Sequence, residues 1–410
     1  MAVHAELRRG WPVIVACFFV AVHAWTYGFY GLSAFVAAFQ VERGWSSALT
    51  SGATSAFYLL GAVVLTRAPG LVGRLGPRAV LIGGSVVLSL GAVVAARAQA
   101  PWQLVAGFLV LGVGWACTSV AAISAVIALW FDARRGMAMS LALNGASVAG
   151  FTLAPALVWL TDRHGLAWAG TTLALGMLGV VVPLVLVAFR GPRPVLAAAM
   201  ASGAEADLAG QGAALRDARF WWIAGPFALV IMAQVGLVVH LVAMLLPRLG
   251  AGGAGVALGV VAVCAVAGRL GLGGVVDRID QRRAGAAGVG VQMVGLALML
   301  ALPGAAWALF LGCVLFGLSV GNNITLPPLL LQGAFSRASF GLAVGLYSAL
   351  AQLGYAVTPG LFGVMHDATG GYAAVLVLAM GMQGVGAVLL LGGAISPEGR
   401  AHRAGRRRPG

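Results

Sequence analysis

Val256-Ala-Leu-Gly-Val-Val-Ala-Val-Cys-Ala-Val-Ala-Gly-Arg269-Leu-Gly-Leu-Gly-Gly-Val-Val-Asp277 is the stretch that decides the fold. Between Val256 and Asp277 it holds one charge, Arg269. As a helix at 1.5 Å per residue, such a run is about 30 Å long, the thickness of a bilayer's hydrocarbon core. Arg269 lies eight residues before Asp277, about 12 Å from the loop. A charge at that depth costs roughly 2.5–3.5 kcal/mol on insertion scales and is a functional-site hypothesis by default. The simplest use of a buried cation is to bind an anion.

The same signature runs along the whole chain. Of 410 residues, 61% are hydrophobic and 9% charged, against about 25% charged in a soluble domain. The net charge of +14 is carried by arginine alone. These arginines sit in short clusters between apolar runs, which marks membrane topology and argues against a nucleic-acid partner. Cys17, Cys117, Cys264 and Cys313 lie singly in apolar segments and read as packing residues, with no metal spacing. The run after Arg8-Arg9 is too long for a cleaved signal and reads as a retained first span. No P-loop, zinc-protease helix, nucleophile elbow or acid pair is present, so no enzyme, cofactor or metal is expected.

Windows of about twenty apolar residues predict twelve helices: 11–38, 46–68, 77–97, 101–129, 136–160, 166–189, 220–246, 253–276, 284–302, 305–331, 339–364 and 371–394. They form a first half over 1–189 and a second over 220–394. Between them lies a polar linker, 190–219, and a basic tail follows at 395–410. With the termini inside, 20 arginines are cytoplasmic and four (Arg43, Arg97, Arg163, Arg248) are outside, with Arg269 left in the membrane. That bias puts both termini in the cytoplasm.

The halves repeat at an offset of 204 or 205. Gly112 meets Gly317, Phe131 meets Phe335, Gly150 meets Gly354 and Pro155 meets Pro359. Arg74 likewise meets Arg278, and Arg78 meets Arg282. Parallel repeats of this kind belong to transporters that hold substrate near the midplane, between the halves.

The loops then carry a family pattern. Gly273-Gly274-Val275-Val276-Asp277-Arg278-Ile279-Asp280-Gln281-Arg282 and Gly73-Arg74-Leu75-Gly76-Pro77-Arg78 resemble the G-x-x-x-D-R-x-G-[RK]-[RK] loop of the major facilitator superfamily. The first copy has Gly73 where the acid should stand, and the second has Asp280 where a glycine should. The resemblance implies an all-α integral membrane fold of two pseudo-symmetric six-helix bundles. It also implies a cytoplasmic gating clasp from Asp277, Arg278, Arg282, Arg74 and Arg78.

Within the superfamily the chain resembles the monocarboxylate and oxalate/formate branch. The similar stretches are Tyr27-Gly28-Phe29-Tyr30-Gly31 leading to Glu42-Arg43-Gly44-Trp45-Ser46, and the loop Trp130-Phe131-Asp132-Ala133-Arg134-Arg135-Gly136. Two more are His240 with Leu246-Pro247-Arg248, and Gly268-Arg269. The resemblance makes Arg269 the carboxylate-binding residue. Dicarboxylate members carry a second cation on helix 11, where this chain has Tyr347, Ser348, Gln352 and Tyr355.

Candidate substrate contacts are therefore Arg269, His240, Tyr27, Tyr30, Thr118, Asn322, Asn323, Tyr347 and Gln352. Arginine matches a carboxylate bidentately, and all acids of the chain lie outside the spans. His23, Thr26, Tyr27 and Tyr30 fall on one helical face. With no acid in a span, His23 and His240 are the proton-coupling candidates. For the histidines, and for Thr118 and the Asn322-Asn323 pair, the other reading is hydrogen bonding between helices. Ser51, Thr54, Ser55 and Tyr58 read as packing.

The expectation is a proton-coupled secondary transporter of a small organic monoanion, monomeric, in the inner membrane of a bacterium, with an exchanged anion as the other coupling partner. A drug/proton antiporter is the alternative, weakened by the absence of charge in helix 4. A membrane sensor is a further one, weakened by the lack of a soluble domain.

Overall fold

The computed structural model describes residues 2–131, 135–190, 215–273, 278–335 and 337–395. Twelve long helices follow one another: α1 Gly10–Arg43, α2 Ser47–Leu65, α3 Pro77–Ala96, α4 Pro101–Trp130, α5 Met137–His164 and α6 Leu166–Ala188, then α7 (218–249) and α8 (251–273), and α9 Gln281–Ala301, α10 Ala306–Ala334, α11 Arg337–Thr369 and α12 Ala373–Ile395. Helices α7 and α8 are continuous except at Gly250, whose φ of 65° interrupts the helix. Only glycine adopts that conformation without strain. Elsewhere the spans begin and end within a few residues of the hydropathy windows.

Two compact units emerge, and their borders cut across the sequence halves. The first contains 1–206 with 238–259 and 359–367; the second contains 207–237, 260–358 and 368–410. Each unit keeps one copy of a repeated helix contact. In the first, a Cβ on Gly112 would lie 2.6 Å from the Phe57 carbonyl oxygen. In the second, a Cβ on Gly317 would lie 2.7 Å from the Val261 carbonyl oxygen. Residues 57 and 261 differ by 204 and Gly112 and Gly317 by 205, the two offsets of the sequence landmarks. The α2–α4 and α8–α10 packings are thus one packing made twice.

In the first unit, segments 238–259 and 359–367 join the first-half helices through backbone hydrogen bonds. Val242 N–H donates to Ser33 Oγ at 2.8 Å, and Gly360 N–H to Ser55 Oγ at 2.9 Å. At the start of α2, Ser46 caps Leu49 N–H, while Ser47 and Ala48 N–H donate to the Asp367 carboxylate at 3.1 and 2.7 Å. Asp367 thus complements the positive end of α2. Burial opposes its ionised form but is outweighed by Ala48 N–H, the His366 ring and Ser47 N–H, so its carboxyl titrates below the ordinary 3.8. The clasp uses the carboxylate. Its stabilisation is complete above about pH 3.8 and is lost as pH falls through the lowered value. Asp367→Asn is expected to lower stability by about 0.5–1 kcal/mol at neutral pH. In thermal melts the gap between variant and parent should close below about pH 3.8; a gap that persists in acid rules out the charged clasp.

Candidate functional site

Arg269 is placed by the α8–α10 contact. A Cβ on Gly268 would lie 1.9 Å from the Leu318 carbonyl oxygen, and one on Gly321 would lie 2.1 Å from that of Ala265. Neither position has room for a side chain, so the two backbones touch. Small residues make such contacts possible in lipid, where packing replaces the hydrophobic effect between helices. The hypothetical Cβ of Gly321 also lies 3.1 Å from Arg269 Cβ. The arginine stem therefore begins on the surface of α10, beside Asn322.

Arg269 is partly buried, and its Nε has no hydrogen-bond partner. Among the described residues the ion pairs are Arg219 with Asp217 and His366 with Asp367, neither of which involves it. Three other candidates in this unit carry orphaned buried atoms, Asn322 Oδ1, Asn323 Oδ1 and Tyr347 OH. Asn322 spends its amide on the Leu318 carbonyl oxygen of its own helix, 3.1 Å away. Gln352 is half-buried on α11. Buried polar atoms are nearly always paired. In the second unit the unpaired atoms are Arg269 Nε, Asn322 Oδ1, Asn323 Oδ1, Tyr347 OH and both amide atoms of Gln383, and only the first belongs to a cation, which suits an anionic ligand.

Asn323, next in sequence, is engaged elsewhere. Its amide donates to Gln234 Oε1 at 3.0 Å and to Gln292 Oε1 at 3.3 Å, fully inside the second unit. A helix turns about 100° per residue, so neighbours point to different surroundings. The sequence reading passed over the amides of Gln234 and Gln292, and over Gln383, also wholly buried. Their signal was available: an amide in an apolar span is costly to leave unpaired, and Gln383 alone of the three keeps both amide atoms without a partner.

In the first unit the polar face of α1 is turned into the bundle. His23 Nε2 lies 3.1 Å from Ser89 Oγ on α3, and Ser89 Oγ donates to the Ala174 carbonyl of α6. That arrangement puts the imidazole proton on Nε2. Tyr27 OH donates to the Gly170 carbonyl at 3.2 Å, and its ring meets His23 edge-on. Thr26 bonds back to Val22. A π-helical turn over Thr26–Tyr30 shifts the register of α1 midway, so 3.6-residue spacing does not carry the face through to Tyr30, which is buried with its ring against Phe29. Thr118 is buried and bonds Gly114 and Trp115 of its own helix. His240 Nε2 lies 3.0 Å from the Pro359 carbonyl oxygen.

The loop residues divide. Asp277 and Arg134 lie outside the described residues. Arg74, Arg78 and Arg278 are exposed, and Arg282 donates to the Trp222 carbonyl at 2.7 Å. Asp280, which stands in place of the pattern's glycine, caps α9 by accepting from Arg282 and Arg283 N–H. Such a cap contributes about 1 kcal/mol.

Comparison with known proteins extends these features. The chain is 31% identical over 400 residues to monocarboxylate transporter 11 of Homo sapiens, covering 90% of this chain and 80% of that protein. It is 29% identical over 177 residues to monocarboxylate transporter 13 of Rattus norvegicus, covering 41% and 39%. Among solved structures it is similar to the nucleoside transporter NupG, with a TM-score of 0.77 at 11% identity over 95% of this chain and 99% of that one. A bacterial homologue of the human lysosomal transporter Spinster, inward-facing and occupied, gives 0.72 at 14% over 93% and 96%. The family description Major Facilitator Superfamily matches residues 16–359. With twelve long helices, a repeated half and that match, the chain belongs to the Major Facilitator Superfamily of membrane transporters.

Proposed function

We propose that this transporter moves a small organic monoanion by alternating access, with the substrate carboxylate seated on Arg269 and a proton carried in the same cycle. The observation that carries the reading is a guanidinium in an apolar helix with a buried nitrogen that has no partner. A carboxylate would supply the missing acceptor and cancel the charge, lowering the cost of closing protein around it. One cation favours one carboxylate. Asn322, Tyr347 and Gln352 are the groups we assign to the rest of the substrate. The name of the human relative, a monocarboxylate transporter, supports the same class. We place both termini in the cytoplasm, from the arginine bias, and the protein as a monomer in a bacterial inner membrane.

The test is uptake of labelled lactate, pyruvate and formate into liposomes holding the purified protein, with and without an inward proton gradient. Failure of every acid tried, with proton-driven efflux of lipophilic compounds instead, would replace this reading by drug/proton antiport. That second reading has its own support, 33% identity over 123 residues to the fujikurins efflux protein of Gibberella fujikuroi, though only 30% of this chain is covered.

Coupling has a separate test. His240→Gln is expected to abolish stimulation by the proton gradient. His23→Gln should keep that stimulation and lose stability, because His23 ties α1 to Ser89. If both variants keep the parent's gradient dependence, neither histidine carries the proton.

A further inference from the structure

A cavity of about 610 Å³ opens in the first unit where the α2–α3 connection meets the ends of α4 and α6. Its walls include Arg78 and Arg190 together with Ile82, Trp130, Leu186 and Phe189. Both arginines are exposed, and neither belongs to an ion pair among the described residues. Gly76 and Pro77, which start α3, also line the cavity. That helix begins with no side-chain cap, which leaves the N–H groups of Arg78 and Ala79, both lining residues, without a side-chain acceptor. The lining therefore brings together two arginines, a helix N-terminus and apolar side chains.

From these features we infer that the cavity binds the phosphate headgroup of an anionic phospholipid. Guanidinium forks match phosphate oxygens bidentately, and uncapped helix N-termini attract the same charge. The apolar side of the cavity continues as a surface made for hydrocarbon. Ile82 is followed at helical spacing by Val86 and Leu90, both exposed on α3. On α6, Val180 and Val187 are exposed beside Leu186. In a membrane protein such residues face acyl chains. Trp130, packed edge-on against Phe189 at 5.0 Å, is a side chain suited to the headgroup level. A soluble anion would use the arginines and leave the apolar side without purpose; a phospholipid uses both.

The first-half loop adds a reason. It carries Gly73 where its second-half counterpart has Asp277. Arg78 thus has no acid five residues before it, where Arg282 has Asp277, and the lipid phosphate provides the negative charge.

Native mass spectrometry of the purified protein with phosphatidylglycerol or phosphatidylcholine tests this. The parent is expected to retain phosphatidylglycerol at least about tenfold more than phosphatidylcholine, and Arg78→Gln/Arg190→Gln to lose that preference. Arg97→Gln/Arg248→Gln, which removes two arginines far from the cavity in sequence, should keep it. Thermal melts of the parent and both double variants, with and without phosphatidylglycerol or inorganic phosphate, show that each variant is folded. The parent should gain stability from the lipid, and Arg78→Gln/Arg190→Gln should not. Equal retention of phosphatidylglycerol by parent and Arg78→Gln/Arg190→Gln overturns the assignment. So does stabilisation by millimolar inorganic phosphate equal to that by the lipid, which would make the site one for a free anion.

Discussion

Arg269→Ala is expected to abolish most carboxylate uptake while leaving the protein folded. Removing one partner of a buried charge pair costs about 2–5 kcal/mol, or roughly 30-fold to several-thousand-fold in affinity at 1.4 kcal/mol per decade. The sign of the stability change separates a ligand site from a structural role. An arginine that held helices together would lower the melting temperature on removal. Here Nε has no partner and no ion pair involves the side chain among the described residues. Deleting a charge that costs roughly 2.5–3.5 kcal/mol to insert should then leave the unliganded protein as stable or more so. Arg269→Lys keeps the charge and loses the planar fork, so its uptake should fall between the two. Reconstituted uptake and thermal melting, measured on the same preparations, decide the matter. Parental uptake by a properly inserted Ala variant, or a large drop in its melting temperature, removes Arg269 from the substrate site.

The second large effect is structural. Gly321→Ala and Gly268→Val should each destabilise the second unit by about 3 kcal/mol or more, the upper end for overpacked sites. The obstacle at both positions is a backbone carbonyl about 2 Å from the new Cβ. A side chain can swing aside; a helix backbone must move as a whole. Separating α8 from α10 also displaces Arg269 from Asn322, so uptake should fall with stability. Gly345 on α11 is the control. It is exposed, with nothing within 4 Å of an added Cβ, and Gly345→Ala should stabilise by about 0.5–1 kcal/mol through helix propensity. A Gly321→Ala protein that melts with the parent would rule out backbone contact between α8 and α10 at this glycine.

Much of the fold was legible because hydropathy adds up along a line. A span of twenty apolar residues needs no knowledge of its neighbours to be recognised, since lipid satisfies it on every side. The repeat was legible for a related reason. Gly112 and Gly317 serve the same close packing in both halves, so the landmarks recur at one offset. Arg269 stood out because it is the lone cation in its span. Helix faces were less accessible. The π turn at Thr26–Tyr30 adds a residue to one turn of α1 and breaks the spacing from which a shared face was read. Asp280 looked like the loss of a loop glycine, yet it caps α9.

By itself, then, the sequence determined the number of spans, their limits, the pseudo-symmetry and the lone membrane cation, all properties of local composition and order. Only the tertiary structure decided which polar groups are already satisfied. Asn322 and Asn323 are chemically identical neighbours, yet the amide of one returns to Leu318 of its own helix and that of the other closes a cluster with Gln234 and Gln292. The structure also decided that segments 238–259 and 359–367 pack into the first unit, with Asp367 on the α2 terminus. A hydrogen bond depends on which helices meet and at what rotation, and that geometry is written in no single stretch of the chain.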